Sequence, residues 1–172
     1  GFNAIRLSHN PQSQELYESC DRLGMLVIDE LFDYWTQGKK DHDFHSYFKD
    51  NWETWTELIV LRNRLHPSIV MWSTGNEIPQ KSGRGNGYYI ATDIANKIRS
   101  LDISRPVTHA LCSLWDNKEE YEIELKEQGF GEDKLDYFAK ATAITADTTD
   151  IIGYNYLEYR LERDLVRFPQ RV

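Results

Sequence analysis

Three short runs of this sequence end in side chains that could do chemistry. Asn3-Ala4-Ile5-Arg6-Leu7 leads into Ser8-His9-Asn10-Pro11, and Met25-Leu26-Val27-Ile28 ends in Asp29-Glu30. The third, Ser68-Ile69-Val70-Met71-Trp72, passes through Ser73-Thr74-Gly75 to Asn76-Glu77. A carboxylate at the end of a buried strand can give and take a proton if its surroundings let it carry one at working pH. It can equally cap or salt-bridge that strand end. Taken alone, Asn76-Glu77 does not separate the two uses.

For these side chains to act together, the three runs must lie side by side and point the same way. The third run is apolar and β-branched and is entered by Pro67, the mark of a strand buried on both faces. It turns polar at Ser73, and Gly75 is expected to permit an unusual backbone where Asn76 and Glu77 emerge. Helical patterns separate the strands. One has Leu16, Tyr17, Cys20 and Leu23 on a face with Gly24 as the residue just past its end, and another has Phe48, Trp52, Trp55 and Ile59. A third carries Ile90, Ile94, Ile98 and Leu101, a fourth Tyr137, Phe138, Ala141 and Ile144, and a last one Leu161 and Leu165. Residues 106–111 and 150–156 read as two more strands. Strand then helix, repeated, predicts a parallel sheet with right-handed crossovers. Such folds keep their chemistry at the carboxyl ends of the strands.

The loop at 31–45 is long, aromatic and polar, as loops that serve a site are. Residues 115–134 are charged and glycine-punctuated, and are expected to form an excursion above the sheet rather than a linker. The glycine cluster at 82–87 lacks the lysine and strand context of a phosphate loop and reads as a surface turn.

The bulk numbers exclude some functions. A net charge of −8 argues against nucleic acid, whose phosphates need a basic surface. No apolar run approaches the roughly 18 residues of a membrane span, and no signal peptide is visible, which leaves the compartment open. Cys20 and Cys112 have neither metal-ligand spacing nor a disulfide framework and read as buried small residues. His42 and His45 lack a third ligand at a convincing spacing, so no metal is expected there. The 172 residues could make one domain, but a complete α/β barrel needs about 250. The chain opens on a strand-like segment without methionine, so it reads as part of something longer.

Together, the three runs resemble the acid/base signature of glycoside hydrolase family 2 and its two preceding strands, with β-galactosidases the nearest members. The resemblance covers nearly the whole chain. It implies an α/β fold, a partial TIM (β/α)₈ barrel with parallel strands alternating with helices. Residues 1–172 would be an incomplete catalytic domain holding strands two to six, with the first, seventh and eighth missing. The implied activity is that of a retaining exo-β-glycosidase acting on terminal β-galactosides. Its partners would be the carbohydrate substrate and the remaining barrel and β-sandwich domains of a parent chain, with no organic cofactor. β-Glucuronidases and β-mannosidases share this frame. A β-glucuronidase would need cations for a sugar carboxylate, and the sequence shows no dedicated cluster. A non-catalytic carbohydrate-binding fragment would keep Trp35 and the aromatic loop without needing Arg6, Asn76 and Glu77 together. All three are present, which favours the enzyme.

Retaining glycosidases use two carboxyl groups about 5–5.5 Å apart, one as acid/base and one as nucleophile. The resemblance makes Glu77 the acid/base and Asn76 the amide that holds the sugar hydroxyl next to the reacting carbon. Arg6 would lie beside the nucleophile, His9 at the sugar site, and Tyr156 would hydrogen-bond the nucleophile. Asp29 and Glu30 would support the site, and Asp33, Trp35 and His109 are further candidate sugar contacts. Some β-galactosidases carry a magnesium-binding Glu-x-His just after the Asp-Glu pair. Here Leu31-Phe32-Asp33-Tyr34-Trp35 stands in its place, so no metal is expected. The family's nucleophilic glutamate follows the seventh strand and would lie beyond this chain, since Glu158 and Glu162 sit in a solvated helical pattern. The isolated 172 residues are therefore expected to be inactive.

Overall fold

The computed structural model describes residues 1–128 and 134–171. Five strands form its sheet: β1 (Ala4–Arg6), β2 (Leu26–Glu30), β3 (Ile69–Asn76), β4 (Val107–Leu111) and β5 (Ile151–Tyr154). They pair in the order β1-β2-β3-β4-β5, every pair parallel. Parallel neighbours need crossover connections. These are supplied by α1 (Gln14–Leu23), α2 (His45–Asn63), α3 (Gly87–Leu101), and α4 (Lys118–Glu127) with α5 (Tyr137–Asp147), while α6 (Leu161–Arg167) follows β5. Strands adjacent in sequence are adjacent in space throughout. The result is an α/β half-barrel, part of a TIM barrel, with all strand carboxyl ends on one rim.

The main core lies between the sheet and the first three helices, with Val27, Ile69, Trp72 and Val107 against Tyr17, Phe48, Val60, Ile94 and Ile98. A smaller cluster holds Leu111, Leu114, Phe138, Ala146 and Leu157. Trp72 is wholly buried, and its indole N–H donates to Asp102 at 3.0 Å, so its polar end is satisfied.

The structure departs from the sequence expectations in places. Leu23 is exposed while Tyr17 and Cys20 are buried, because α1 ends there and Gly24, at φ 69°, swings the chain back toward β2. Ile144, expected on the apolar face of its helix, is also exposed, as are Leu161 and Leu165 of the last helix. The charged stretch at 118–127 is a helix after all. Asn117 caps it by accepting from the Glu119 N–H, and Glu119 and Glu120 complement the positive end of its dipole. Residues 129–133 of that expected excursion lie outside the described residues.

β3 is the largest departure. It does not stop where the residues turn polar but runs through Ser73, Thr74 and Gly75 to Asn76. Polar side chains stay in a buried strand when each has a partner. Ser73 donates to Glu30 at 2.8 Å, and Thr74 pairs with His109 Nδ1 at 2.8 Å. Gly75 is not the unusual backbone position; Glu77 is, at φ 48°. Gly75 answers to crowding instead, since a Cβ there would stand 2.9 Å from Ile78 Cδ1 and 3.3 Å from His109 Cε1.

The surface turn expected at 82–87 is a single 3₁₀ turn, Arg84–Asn86, but the Gly87 that follows it is buried. A Cβ on Gly87 would run into the carbonyl oxygen of Gln80, in the segment just after Glu77. In an open helix, glycine to alanine gains about 0.5–1 kcal/mol. Here the sign should reverse, with Gly87→Ala costing about 1–3 kcal/mol as an overpacked site. Denaturant unfolding of the two proteins decides it, and a stabilised variant would mean that the Gln80 segment has room to move.

Candidate active site

The parallel register brings the ends of β1, β2 and β3 to one rim, with the residue just past β5. Glu30, at the end of β2, is wholly buried, and its carboxylate takes a fork of hydrogen bonds from Arg6 at 2.9–3.1 Å. His9 Nδ1 lies 2.7 Å from Glu30 Oε1, and Ser73 donates to Oε2. Both Glu30 oxygens are therefore engaged from β1, from the loop after it and from β3.

Arg6 also reaches across the rim. Its Nη2 donates to Asn76 Oδ1 at 2.7 Å and its Nη1 to Asn155 Oδ1 at 3.3 Å. Asn155 in turn donates to Asn76 Oδ1 at 2.9 Å and to Glu77 Oε1 at 2.8 Å. Glu77 is half-buried, and its backbone N–H is held by the Ala110 carbonyl at the end of β4. From the long loop after β2, Lys39 donates to Asp33 at 2.6 Å and to the Asn76 carbonyl at 2.9 Å, while Asn76 Nδ2 donates to Asp33 at 3.0 Å. Arg6, His9, Glu30, Asp33, Asn76 and Glu77 thus form one hydrogen-bonded network.

Asn155 was missed by sequence reading. It follows a strand whose centre is apolar and aromatic, and a polar residue just past such a strand is the signal that marks Asn76 on β3. Tyr156, which sequence reading preferred, stands next to it at φ 60° with its ring exposed against Trp115, centroids 5.5 Å apart. Among the described residues it makes no hydrogen bond to the network.

Trp35 and His109 must also be corrected. Both are fully buried, so neither shows a face on which a sugar could sit. They lie against each other with ring centroids 5.5 Å apart, and Trp35 Nε1 donates to the Thr74 carbonyl at 3.3 Å. They form the floor behind Asn76 rather than its surface.

Two buried titratable groups frame this rim. Asp29 is wholly buried, accepting from the Tyr17 hydroxyl and from Asn63 Nδ2, each at 2.9 Å. Burial pushes its carboxyl up to about 6, against the pull of those two hydrogen bonds. Burial drives His109 down to about 3, helped by the positive charges of Lys81, Arg6 and Lys39, so it is a neutral ring at neutral pH. Burial also pushes the Cys112 thiol up to about 12, which makes it a packing residue, not a nucleophile.

A parallel half-barrel that gathers an ion pair, two amides and a half-buried glutamate at its strand ends has the architecture of an α/β-barrel catalytic domain. Residues 1–129 match the family model described as glycosyl hydrolases family 2, TIM barrel domain, and the chain belongs to that family. Among curated relatives, Beta-galactosidase BoGH2A of Bacteroides ovatus is 42% identical over 98 residues, covering 57% of this chain and 12% of that protein. The Beta-glucuronidase of Homo sapiens is 37% identical over 115 residues, covering 63% of this chain and 16% of its own. A crystal structure of a glycosyl hydrolase family 2 member from Bacteroides cellulosilyticus superimposes with a TM-score of 0.81 at 38% identity, over 100% of this chain and 19% of that one. The chain thus spans less than a fifth of the length of these relatives.

The two shifted groups pull stability in opposite directions with pH. The raised Asp29 carboxyl contributes stability that is complete below its ordinary 3.8 and is lost as pH rises through about 6. The depressed His109 contributes stability that is present above 6.5 and is lost as pH falls toward about 3. The Asp29 contribution is therefore read as a difference between proteins. Asp29→Asn, which keeps the shape and removes the charge, should gain about 2–3 kcal/mol relative to wild type between pH 4 and pH 7. Urea unfolding across that range checks this, and parallel curves for the two proteins would exclude a raised pKa at Asp29.

Proposed function

We propose that this chain is the central part of the catalytic barrel of a retaining exo-β-glycosidase acting on terminal β-galactosides, with Glu77 as general acid/base. The observation that carries this reading is how Glu77 is held. It sits past the end of β3 in a left-handed backbone that only a well-braced segment tolerates, gripped through one oxygen by the neutral amide of Asn155. Its other oxygen has no partner among the described residues. In the first step Glu77 would protonate the departing glycosidic oxygen, and in the second it would take a proton from the water that releases the sugar. Asn76 would hold the hydroxyl beside the reacting carbon, and Arg6 and His9 would line the same rim.

Glu30 is ill-suited to be the nucleophile, since it is wholly buried with both oxygens engaged. We assign that role to a glutamate after a seventh strand, outside these 172 residues, and the barrel's first and eighth strands likewise. The 172 residues alone should then leave aryl β-galactosides intact. Turnover that vanishes in Glu77→Gln would mean a second working carboxylate lies within them.

The preference for a neutral sugar rests on charge. Arg6 and Lys39, the fixed cations of the network, are paired with Glu30 and Asp33, and His9 faces Glu30 as well. Among the described residues of the network, none is left over for a uronate. The β-glucuronidase reading draws on the relatives that bear that name, and comparing β-galactoside with β-glucuronide hydrolysis by the full-length enzyme discriminates the two.

The acid/base role has its own test in the full-length enzyme. Glu77→Ala should retain the first step on glycosides whose leaving group needs no proton, while natural-type leaving groups slow by about 10²–10⁴-fold. Azide should then accelerate the stalled second step and yield a β-glycosyl azide. Equal losses on both substrate types, with no azide product, would take Glu77 out of the role.

A further inference from the structure

The Asn76 amide is gripped at both ends by groups that cannot exchange roles. Arg6 can only donate, so the atom it meets at 2.7 Å must be the amide oxygen. Asp33, paired with Lys39, is an acceptor, so the atom it meets at 3.0 Å must be the amide nitrogen. Amide orientation is inferred from such neighbours, and here the two neighbours agree. Asn155 supplies a second donor to the oxygen at 2.9 Å. A carbonyl oxygen has two lone pairs, and both are now used.

We infer that Lys39 is a positioning residue: by holding Asp33 it fixes the nitrogen end of the Asn76 amide, whose oxygen Arg6 and Asn155 already occupy, so that the amide meets the sugar as a donor. Lys39 makes two bonds that bear on this. One goes to the Asp33 oxygen that accepts from Asn76, and the other, at 2.9 Å, to the backbone carbonyl of Asn76 itself. It thereby clamps the loop after β2 onto the end of β3 and fixes the amide between them. What the protein leaves unpaired is one N–H of Asn76, which keeps only 3% of its surface exposed, and the second oxygen of the more open Asp33, which has no partner among the described residues. Asp33 and Lys39 are both partly exposed, so this edge of the network faces outward. An N–H donor beside a carboxylate acceptor fits a hydroxyl, which accepts from the first and donates to the second. A bare carbon or an ether in its place would leave the Asp33 oxygen without a donor.

The inference rests on the proposed glycosidase reading, and the test separates the two. The full-length enzyme is assayed on the faster of its 4-nitrophenyl β-galactoside and β-glucuronide, and on the 2-deoxy counterpart of that substrate. The ratio of the two kcat/KM values reports what the hydroxyl beside the reacting carbon contributes. Lys39→Met should lower the ratio of hydroxyl to deoxy substrate about tenfold, by releasing Asp33 and with it the nitrogen end of the Asn76 amide, and Lys39→Arg should restore part of it. Lys39→Gln, which keeps one donor, stands in if the Met variant does not fold. Equal loss on both substrates, or an unchanged ratio, overturns the positioning role and leaves the glycosidase reading intact. Wild-type enzyme that cleaves neither glycoside retires both.

Discussion

The contact on which this rim depends is the fork between Arg6 and Glu30. A carboxylate with no exposed surface is costly to bury unless it is paired and its remaining lone pairs are filled. Glu30 meets both conditions only when three neighbouring strands are in register, because its partners come from β1 (Arg6), the loop after it (His9) and β3 (Ser73). Removing one member of such a pair typically costs about 3–5 kcal/mol, far more than a surface ion pair contributes. The interaction therefore works as a register device more than as a source of net stability. Arg6 is suited to it because a planar guanidinium can grip Glu30 with two nitrogens and still reach Asn76 and Asn155.

From that anchor the network passes to Glu77, whose backbone needs support of another kind. A non-glycine residue in the left-handed region costs about 1–3 kcal/mol and persists only where its surroundings hold it there. The segment after Glu77 is braced on several sides. Gln80 donates to the Thr36 hydroxyl at 2.5 Å and accepts from the Gln37 N–H at 3.3 Å. The fully buried Lys81 pairs with Asp116, and its carbonyl accepts from Thr145 on α5 at 2.7 Å. The loops after β2, β3 and β4 are thus fastened together through two residues that follow Glu77.

Much of this was legible in the sequence, for physical reasons that also explain the misses. Apolar, β-branched runs entered by turn residues announced all five strands, and the helical periods of α1, α2 and α3 followed from side chains that face the sheet. The misses cluster where a residue's state depends on a partner far away in the chain. β3 looked as if it ended at Ser73, because nothing local says that Glu30 and His109 will satisfy Ser73 and Thr74. α4 carries charge nearly all round, so its pattern has no apolar stripe, and its buried Glu124 makes sense only once Ser113 and the Leu114 N–H are seen beside it. The network was legible in Arg6, His9, Asn76 and Glu77, each near the end of a recognisable strand. Asn155 was not, because the aromatic beside it drew the assignment. Trp35 and His109 misled in the opposite way, since residue types suited to sugars are equally suited to filling the floor beneath a site.

The distribution of charge around this rim carries one more consequence. The acidic side chains of the network are given two kinds of neighbour. Glu30 and Asp33 receive cations, Arg6 and Lys39. Among the described residues the Glu77 carboxyl receives only the amide of Asn155, and that amide is in turn oriented by Arg6. A cation in direct contact would favour the ionised form of whatever carboxyl it touched, which suits a residue whose work is to hold others in place. An acid that must both lose and regain its proton within one turnover is better served by a neutral donor. By placing Asn155 between Arg6 and Glu77, the fold uses a single arginine to secure Glu30 and to aim the amide at Glu77, without setting its positive charge directly against the glutamate that we assign to proton transfer.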